Sequence, residues 1–368
     1  MVNEILQGDS LEVLKTLADE SVDCVVTSPP YFGLRDYGTA SWKSGDIDCD
    51  HKGEIMATHR SGSNRKDENK PREIFKNVCG KCGAMREDSQ IGLEETPEAY
   101  VAKLVELFRE TRRVLKNEGT LWLNLGDSYA SSPIGHKTVE SVFNSSTIGM
   151  KIKPDVLLGS KFDKSKMPGY KTKDLIGIPW MVAFALRKDG WYLRQDIIWA
   201  KPNPMPESVK DRCTKSHEYV FLLSKSPKYY YDNEAIKEPV KEISLKRAEY
   251  GWHGKGDDGN GNYAGLGQIE KMGTRFANPK GRNKRSVWTV TPKPFRGAHF
   301  ATFPPDLIEP MILAGCPKDG IVLDPFMGAG TTAVVAKTHG RNYLGVELNE
   351  SYIRIAQKRI DGVNKPLI

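Results

Sequence analysis

The chain has 368 residues, 39% of them hydrophobic and 27% charged, which is enough apolar mass for a sizeable core and excludes generic disorder. At roughly 100–200 residues per domain it holds two or three folding units, or one large α/β domain with insertions. The net charge of +7 permits a nucleic-acid partner without requiring one. No apolar run approaches the ~18 residues that span a bilayer, and the first residues lack the basic and apolar regions of a signal peptide, so a cytoplasmic protein with no membrane partner is expected.

Residues 4–7 read as a short strand ending at Gly8-Asp9. Leu11, Val13, Leu14 and Leu17 then set a helical stripe. Residues 22–27 form a strand that stops at Ser28-Pro29-Pro30, where two prolines take the chain out of the sheet. Residues 38–92 are polar, glycine- and lysine-rich, and read as an insertion. Regular structure resumes at Thr96-Pro97-Glu98, a helix start with proline in the first turn. Tyr100, Leu104, Leu107, Phe108, Thr111 and Leu115 give its apolar face, Gly119 is expected to end it, and 120–125 reads as a buried strand. Residues 130–173 are again polar, with eight lysines. A helix is expected at 178–187 and strands at 191–200 and 219–224, the latter two flanking a loop that includes Lys201. After a stretch of little periodicity at 225–298, helices are expected at 305–314, 331–339 and 351–360, and strands at 321–323 and 343–346. Strands alternating with helices predict a mostly parallel sheet covered on both faces.

Asp324-Pro325-Phe326-Met327-Gly328-Ala329-Gly330-Thr331-Thr332 follows an apolar strand and opens a helix. Gly328 and Gly330 let backbone approach a ligand at the carboxyl end of the sheet. Asp324, at the strand end, can hold a polar or cationic ligand group. Glu347 follows at the end of the next strand, where an acidic side chain takes the ribose hydroxyls of an adenosine-type cofactor. The loop lacks the Gly-Lys-Ser/Thr ending of a phosphate loop, so a cofactor with a ribose and no phosphates fits better, and S-adenosylmethionine is the natural candidate. The bland reading of the same residues is a tight turn with a helix cap; the second carboxylate at the right spacing argues against it.

Thr27-Ser28-Pro29-Pro30-Tyr31 lies at a predicted strand end. Its prolines remove two N–H donors, leaving carbonyls and the Ser28 hydroxyl as acceptors beside the flat ring of Tyr31. Such a cluster suits a planar base that carries an exocyclic amine. The alternative is a proline-terminated strand with a surface tyrosine.

The insertion contains Cys49-Asp50-His51 and Cys79-Gly80-Lys81-Cys82-Gly83. Cys-X-X-Cys followed by Gly is half of a tetrahedral zinc site, and Cys49 and His51 could complete a structural Cys3His set, with His59 as a substitute for His51. The alternatives are surface thiols or a redox pair.

Residues 201–298 carry 19 Lys and Arg against 11 Asp and Glu, and residues 271–296 carry eight basic residues and no acidic ones. Arg275, Lys280, Arg282, Lys284 and Arg285 are candidate nucleic-acid contacts, with Arg35 and Lys201 nearer the proline motif. A solvated basic face is the plain alternative.

Together, 27–31 and 324–332 resemble the catalytic motif and cofactor loop of the amino-group DNA methyltransferases. The catalytic motif comes first and the cofactor loop last, which resembles the permuted order of the β class. His299-Phe300-Ala301-Thr302-Phe303-Pro304 is similar to that class's cofactor-side segment, and Gly8-Asp9-Ser10 to its N-terminal acidic motif. Trp199 to Pro204 and Ser216 to Val220 look like the motifs that border its target-recognition region. The resemblance implies a circularly permuted, Rossmann-like methyltransferase fold with insertions: catalytic parts at 1–37 and 93–224, a zinc-binding insertion at 38–92, a recognition region at 225–298 and a cofactor part at 299–368. It implies methyl transfer from S-adenosylmethionine to the exocyclic amine of a base flipped out of double-stranded DNA. Ser28, Pro29, Pro30 and Tyr31 would act on the base. Asp9, Ser10, Thr27, Thr302, Phe303, Asp324, Pro325, Phe326, Gly328, Gly330, Thr331, Thr332, Glu347 and Leu348 would bind the cofactor. Serine at position 28 points to N4 of cytosine, where aspartate is more typical of N6-adenine enzymes. The resemblance also allows a cognate restriction endonuclease and a second copy of the chain as partners, in a prokaryote or a phage. An N6-adenine DNA methyltransferase, an RNA or protein-amide methyltransferase, a zinc-containing DNA-binding module and a methylase fused to a nuclease remain as alternatives.

Overall fold

The computed structural model describes residues 2–33, 41–46, 48–50, 54–56, 72–74, 78–87, 90–131, 164, 167–244, 281–293 and 302–363. In chain order, β1 (Glu4–Gln7), α1 (Ser10–Thr16) and β2 (Val22–Thr27) come first, followed by four three-residue strands, β3 (Ser41–Lys43), β4 (Glu54–Met56), β5 (Arg72–Ile74) and β6 (Met85–Glu87). Next are α2 (Pro97–Val114), β7 (Leu115–Leu125), α3 (Ile178–Lys188), β8 (Tyr192–Ala200), β9 (His217–Ser224) and β10 (Val287–Thr289). The chain closes with α4 (Pro305–Gly315), β11 (Ile321–Asp324), α5 (Thr331–Thr338), β12 (Asn342–Glu347) and α6 (Glu350–Asp361). Two compact units result: Met1–Pro29, Leu104–Asp127 and Gly177–Ile368 in the first, Pro30–Lys103 and Ser128–Ile176 in the second.

The first unit holds an eight-stranded sheet in the order β1-β12-β11-β2-β7-β9-β8-β10. Neighbours are parallel except around β9, which runs antiparallel to both β7 and β8. Successive residues of β7 from Thr120 to Leu125 are all buried, so both faces of the sheet are covered there, as a parallel sheet requires. On one face, Trp122, Val220, Leu222 and Trp288 join Leu307, Ile308, Met311 and Ile312 of α4 and Ala333 and Ala336 of α5 in a single apolar cluster. The two ends of the chain interleave: Glu4 pairs with Leu344, and Cys24 with Val322. That arrangement is the permuted order expected from the motifs.

Local chemistry sets the helix ends. Asp9 caps α1 by accepting from the N–H groups of Leu11 and Glu12. α3 starts at Gly177, which has no side chain to cap it, and Asp127 from beyond β7 accepts the N–H groups of Gly177 at 3.0 Å and Ile178 at 3.2 Å instead. One boundary differs from expectation. α2 stops at Val114 and runs directly into β7, so Gly119 lies inside a strand and does not end the helix. The register jumps from Val22–Leu115 to Cys24–Thr120, and a Cβ on Gly119 would stand 3.0 Å from the Asp23 carbonyl. Glycine here serves close backbone approach in a bulge.

The expected recognition region at 225–298 is also partly drawn into the scaffold. β10 adds to the sheet beside β8, and Ile236 and Trp288 are core residues. Short apolar pieces separated by polar sequence carry no periodicity, so this attachment has no local signal. In the second unit β3 pairs antiparallel with β6, and β4 with β5. Among the described residues no helix is long and apolar enough to cross a membrane.

Candidate active site

Strand order reverses direction between β11 and β2, since β12 lies on one side of this pair and β7 on the other. Ligands of open α/β sheets bind outside the carboxyl ends of the strands at such a point. The predicted cofactor loop follows β11 there, and Ser28 and Pro29 follow β2.

Asp324 organises this edge. It is 1% exposed. Thr27 donates to one of its oxygens at 2.7 Å and Thr332 to the other, also at 2.7 Å, while the Phe326 N–H adds a bond at 3.0 Å. Burial pushes its pKa up to about 6, with the three donors acting against that shift. Its oxygens are thus turned inward onto the protein, and the carboxyl group shapes the loop by clamping the ends of β2, β11 and α5. The expected role of holding a polar or cationic ligand group would fall to the oxygen that, among the described residues, accepts only from Thr332.

The loop is tied to its neighbours by further long-range bonds. Ser10 donates to the Pro325 carbonyl at 2.5 Å, and Met327 N–H to the Val346 carbonyl at 2.9 Å. Gly328 N–H and Asn349 N–H both donate to Glu347 at 2.8 Å. Burial raises the Glu347 pKa, again against these hydrogen bonds. The Leu348 N–H donates to it as well, and a carboxylate with about four acceptor sites keeps room for a hydroxyl donor. Gly328 and Gly330 have positive φ, +51° and +78°, but differ in surroundings. A Cβ on Gly330 would lie 2.7 Å from the Ala356 Cβ, so this glycine lets α5 pack on α6. Among the described residues, a Cβ on Gly328 would meet only the Phe326 carbonyl, at 3.9 Å, so the backbone there has space beside it. The N-terminus of α5 has no side-chain cap, and uncapped N–H groups at a helix start can receive an anion. Pro325 and Thr331 are buried, Phe326 and Leu348 half-buried, and Thr302 and Phe303 lead into α4 with Phe303 against the core. Open space at Gly328, an uncapped helix end and a carboxylate between backbone amides fit an adenosine-type ligand with a carboxylate of its own.

The residues that follow Pro29 are held by hydrogen bonds of their own. Within the second unit, Tyr100 donates its hydroxyl to the Pro30 carbonyl at 2.9 Å. Lys164, 6% exposed, donates to the Phe32 carbonyl and to the Ser128 hydroxyl, each at 3.1 Å, and stands over the Phe32 ring. Nothing local marked Lys164: it lies in a lysine-rich stretch whose other members look the same. Arg359 is another residue that sequence reasoning missed. From α6 it donates to the Ala329 carbonyl and, at 3.1 Å, to Thr331. Only the packing of α6 on the loop reveals it.

Beyond β2, on the same edge, Lys201 forms an ion pair with Glu218 and stands 4.2 Å over the Trp199 ring. Asn124 donates to Glu218 at 3.3 Å and to the Tyr219 carbonyl at 3.0 Å. In the basic stretch, Arg282 and Arg285 both pair with Glu238, at 3.1 Å, and Lys284 lies over the Trp288 ring. These three cations are thus engaged by other side chains of the protein. The remaining DNA candidates, Arg35, Arg275 and Lys280, lie outside the described residues, as does His51 of the metal set. The other three metal candidates, Cys49, Cys79 and Cys82, come together, with all their sulfurs within 4.8 Å of one another.

Fold and site thus define a Rossmann-like α/β protein with its ligand edge at a topological switch point. The chain belongs to the N6/N4 methyltransferase family of DNA methylases, whose family model matches residues 22–358, and it is a DNA methyltransferase. It is 40% identical over 364 residues to the Type II methyltransferase M.Cfr9I of Citrobacter freundii, covering 99% of this chain and 89% of that protein. It is 38% identical over 357 residues to the Type II methyltransferase M.SmaI of Serratia marcescens, covering 97% and 90%. Among solved structures it shares the fold of the PvuII DNA methyltransferase (cytosine-N4-specific), with a TM-score of 0.52, 16% identity and 98% and 86% of the two chains covered. The putative DNA modification methylase TTHA0409 of Thermus thermophilus, complexed with S-adenosyl-L-methionine, gives a TM-score of 0.51 at 20% identity, covering 100% and 96%.

Proposed function

We propose that the protein methylates the N4 amine of a cytosine within a specific double-stranded DNA sequence, using S-adenosylmethionine. The observation that carries this reading is Ser28-Pro29 at the carboxyl end of β2, next to β11 and its glycine loop. The hydroxyl of Ser28 and the carbonyl of Pro29 are acceptors, and the site offers no carboxylate at position 28. The resemblance associates that serine with cytosine.

The cofactor, when bound, supplies a methyl group on a positively charged sulfur. Glu347 is proposed to take the ribose hydroxyls, and the α5 N-terminus the carboxylate. Gly328 gives the ligand room, and Asp324 keeps the loop in shape. Ser28 and the Pro29 carbonyl accept from the target amine, which orients the nitrogen lone pair toward the methyl carbon and stabilises positive charge as the N–C bond forms and the S–C bond breaks. These groups are too weakly basic to keep the proton of the methylated amine, so they orient it by hydrogen bonding and the proton passes to solvent water. Tyr31 is the ring proposed to stack on the base. A base in a duplex reaches these groups only when flipped out, and the basic residues around 271–296 are proposed to hold the phosphates.

Sequencing the methylome of cells that express the protein, with mass spectrometry of the digested DNA, tests this reading. N4-methylcytosine in one sequence context is expected. N6-methyladenine as the sole product would overturn the choice of base, and unmodified DNA with methylated RNA would overturn the substrate.

A further inference from the structure

The proposed methyl transfer makes no use of the cysteines of the insertion, yet their geometry is specific. Cys79 and Cys82 sit in a tight hairpin turn between Val78 and Met85, which pair antiparallel. The Gly83 N–H donates to the Cys79 carbonyl at 2.9 Å, and the Cys79 N–H to the Ala84 carbonyl at 2.7 Å. Gly83 takes the left-handed conformation, φ +71°, that closes such a turn. The loop ending at Cys49 lies against this turn: a Cβ on Gly45 would stand 3.0 Å from the Cys82 sulfur. The Cys82 sulfur also accepts from the backbone N–H groups of Ala84 and Asp46, the kind of outer hydrogen bond that steadies a metal-bound thiolate.

Distances separate metal binding from a disulfide. A disulfide needs sulfurs about 2.0 Å apart. The Cys49 and Cys79 sulfurs are 3.9 Å apart, and all three lie within 4.8 Å of one another. Four ligands at about 2.3 Å from a tetrahedral zinc ion lie about 3.8 Å from each other. Three sulfurs cannot all pair as disulfides, whereas all three can share one ion.

Burial supplies an independent argument. Among the residues from 41 to 87 whose burial is described, only Cys79 and Ala84 are buried; Val78 and Met85 are more than half exposed. The described part of this segment has so little apolar core that it calls for another source of order, and small folds of this kind commonly obtain it from a metal.

We propose that Cys49, Cys79 and Cys82 bind a structural zinc ion that orders the insertion following the catalytic motif. This site is independent of the methyl-transfer reading. The sequence offers His51 as the fourth donor; it lies outside the described residues.

The test uses the full chain, purified without chelator or polyhistidine tag, with metal content read by plasma mass spectrometry. About one zinc per chain is expected. Cys79→Ser and Cys82→Ser should lower it by about tenfold or more, while Cys213→Ser, an exposed cysteine outside the cluster, should leave it unchanged. Because a cysteine variant can misfold, chelation of the wild-type chain provides a second measurement. Stripping zinc should open the segment between 41 and 87 to limited proteolysis, and equimolar zinc should close it again. A wild-type chain that neither carries zinc nor takes it up would overturn the proposal. So would iron in its place, or a disulfide between any two of the three cysteines in peptide mapping.

Discussion

Two short segments with glycines contrast sharply: the loop 324–330 and the cysteine turn 78–85. The loop is fastened from residues hundreds of positions away as well as from the next strand, with Thr27, Ser10 and Val346 holding it and Asp324 sealed at its base. The cysteine turn is fastened by its own backbone bonds and by one neighbouring loop. The sheet therefore imposes order on the first through burial and long-range hydrogen bonds. Among the described residues the second buries only Cys79 and Ala84, and its fastening is assigned to the proposed metal site. Two segments of similar sequence texture thus answer to different physics.

The largest break in this contrast should come from Asp324→Ala. It removes an acceptor shared by Thr27, Thr332 and the Phe326 N–H and should cost about 3 kcal/mol or more in thermal or urea unfolding, because three buried donors lose their partner at about 1–3 kcal/mol each. Chelator treatment, by comparison, should leave the main melting transition in place. A single shared transition, lost on chelation, would show that the two regions are not separately held.

Ser28→Ala should act on chemistry and not on fold. Turnover should fall by about 10²–10³-fold with little change in melting temperature. Unchanged turnover would remove Ser28 from the catalytic group.

The pH dependence of stability gives the next effect. The Asp324 pKa is raised from 3.8 to about 6 in the folded protein. Between those values the folded state keeps a proton that the unfolded chain has lost, so stability falls as pH rises through this window and levels off above it. The fall is about 3 kcal/mol for a shift of roughly two units. Asp324→Asn should flatten that part of the profile in melts from pH 4 to 7; an unchanged slope would assign the titration elsewhere.

The two loop glycines sharpen the picture further. Gly330→Ala places a methyl against Ala356 at a left-handed φ and should destabilise by about 1–3 kcal/mol. Gly328→Ala carries a similar backbone penalty without the clash, about 1 kcal/mol, but should raise the KM for S-adenosylmethionine, because the methyl enters the ligand's space. Equal effects of both variants on melting and KM would refute the assignment of one glycine to packing and the other to the ligand.

Glu238→Gln should have the smallest effect. It frees Arg282 and Arg285 from their shared carboxylate and should steepen the salt dependence of DNA binding by about one unit of the log–log slope. No change in slope would place both arginines away from the DNA.

The local chemistry was legible in the sequence because it resides in residue types at fixed spacing. Two prolines after Ser28 must end a strand, Gly328 and Gly330 must open a turn, and Pro97 must start a helix. The apolar face of α2 was equally legible, since Tyr100, Leu104, Leu107 and Phe108 recur at helical spacing and are all buried. The end of α2 was not: glycine is a common helix stop, and only the bulge against Asp23 shows why Gly119 belongs to β7.

The sequence by itself determined the α/β alternation, the motif order and the cysteine spacing, all of which follow from backbone preference and side-chain type over a few residues. Tertiary structure decided what those residues face. It turned Asp324 inward, placed Lys164 behind the Phe32 carbonyl, gave Arg282 and Arg285 a common partner in Glu238 and inserted β9 antiparallel between β7 and β8. Each of these depends on residues tens to hundreds of positions apart, whose proximity is set by burial of the whole core and leaves no periodic trace along the chain.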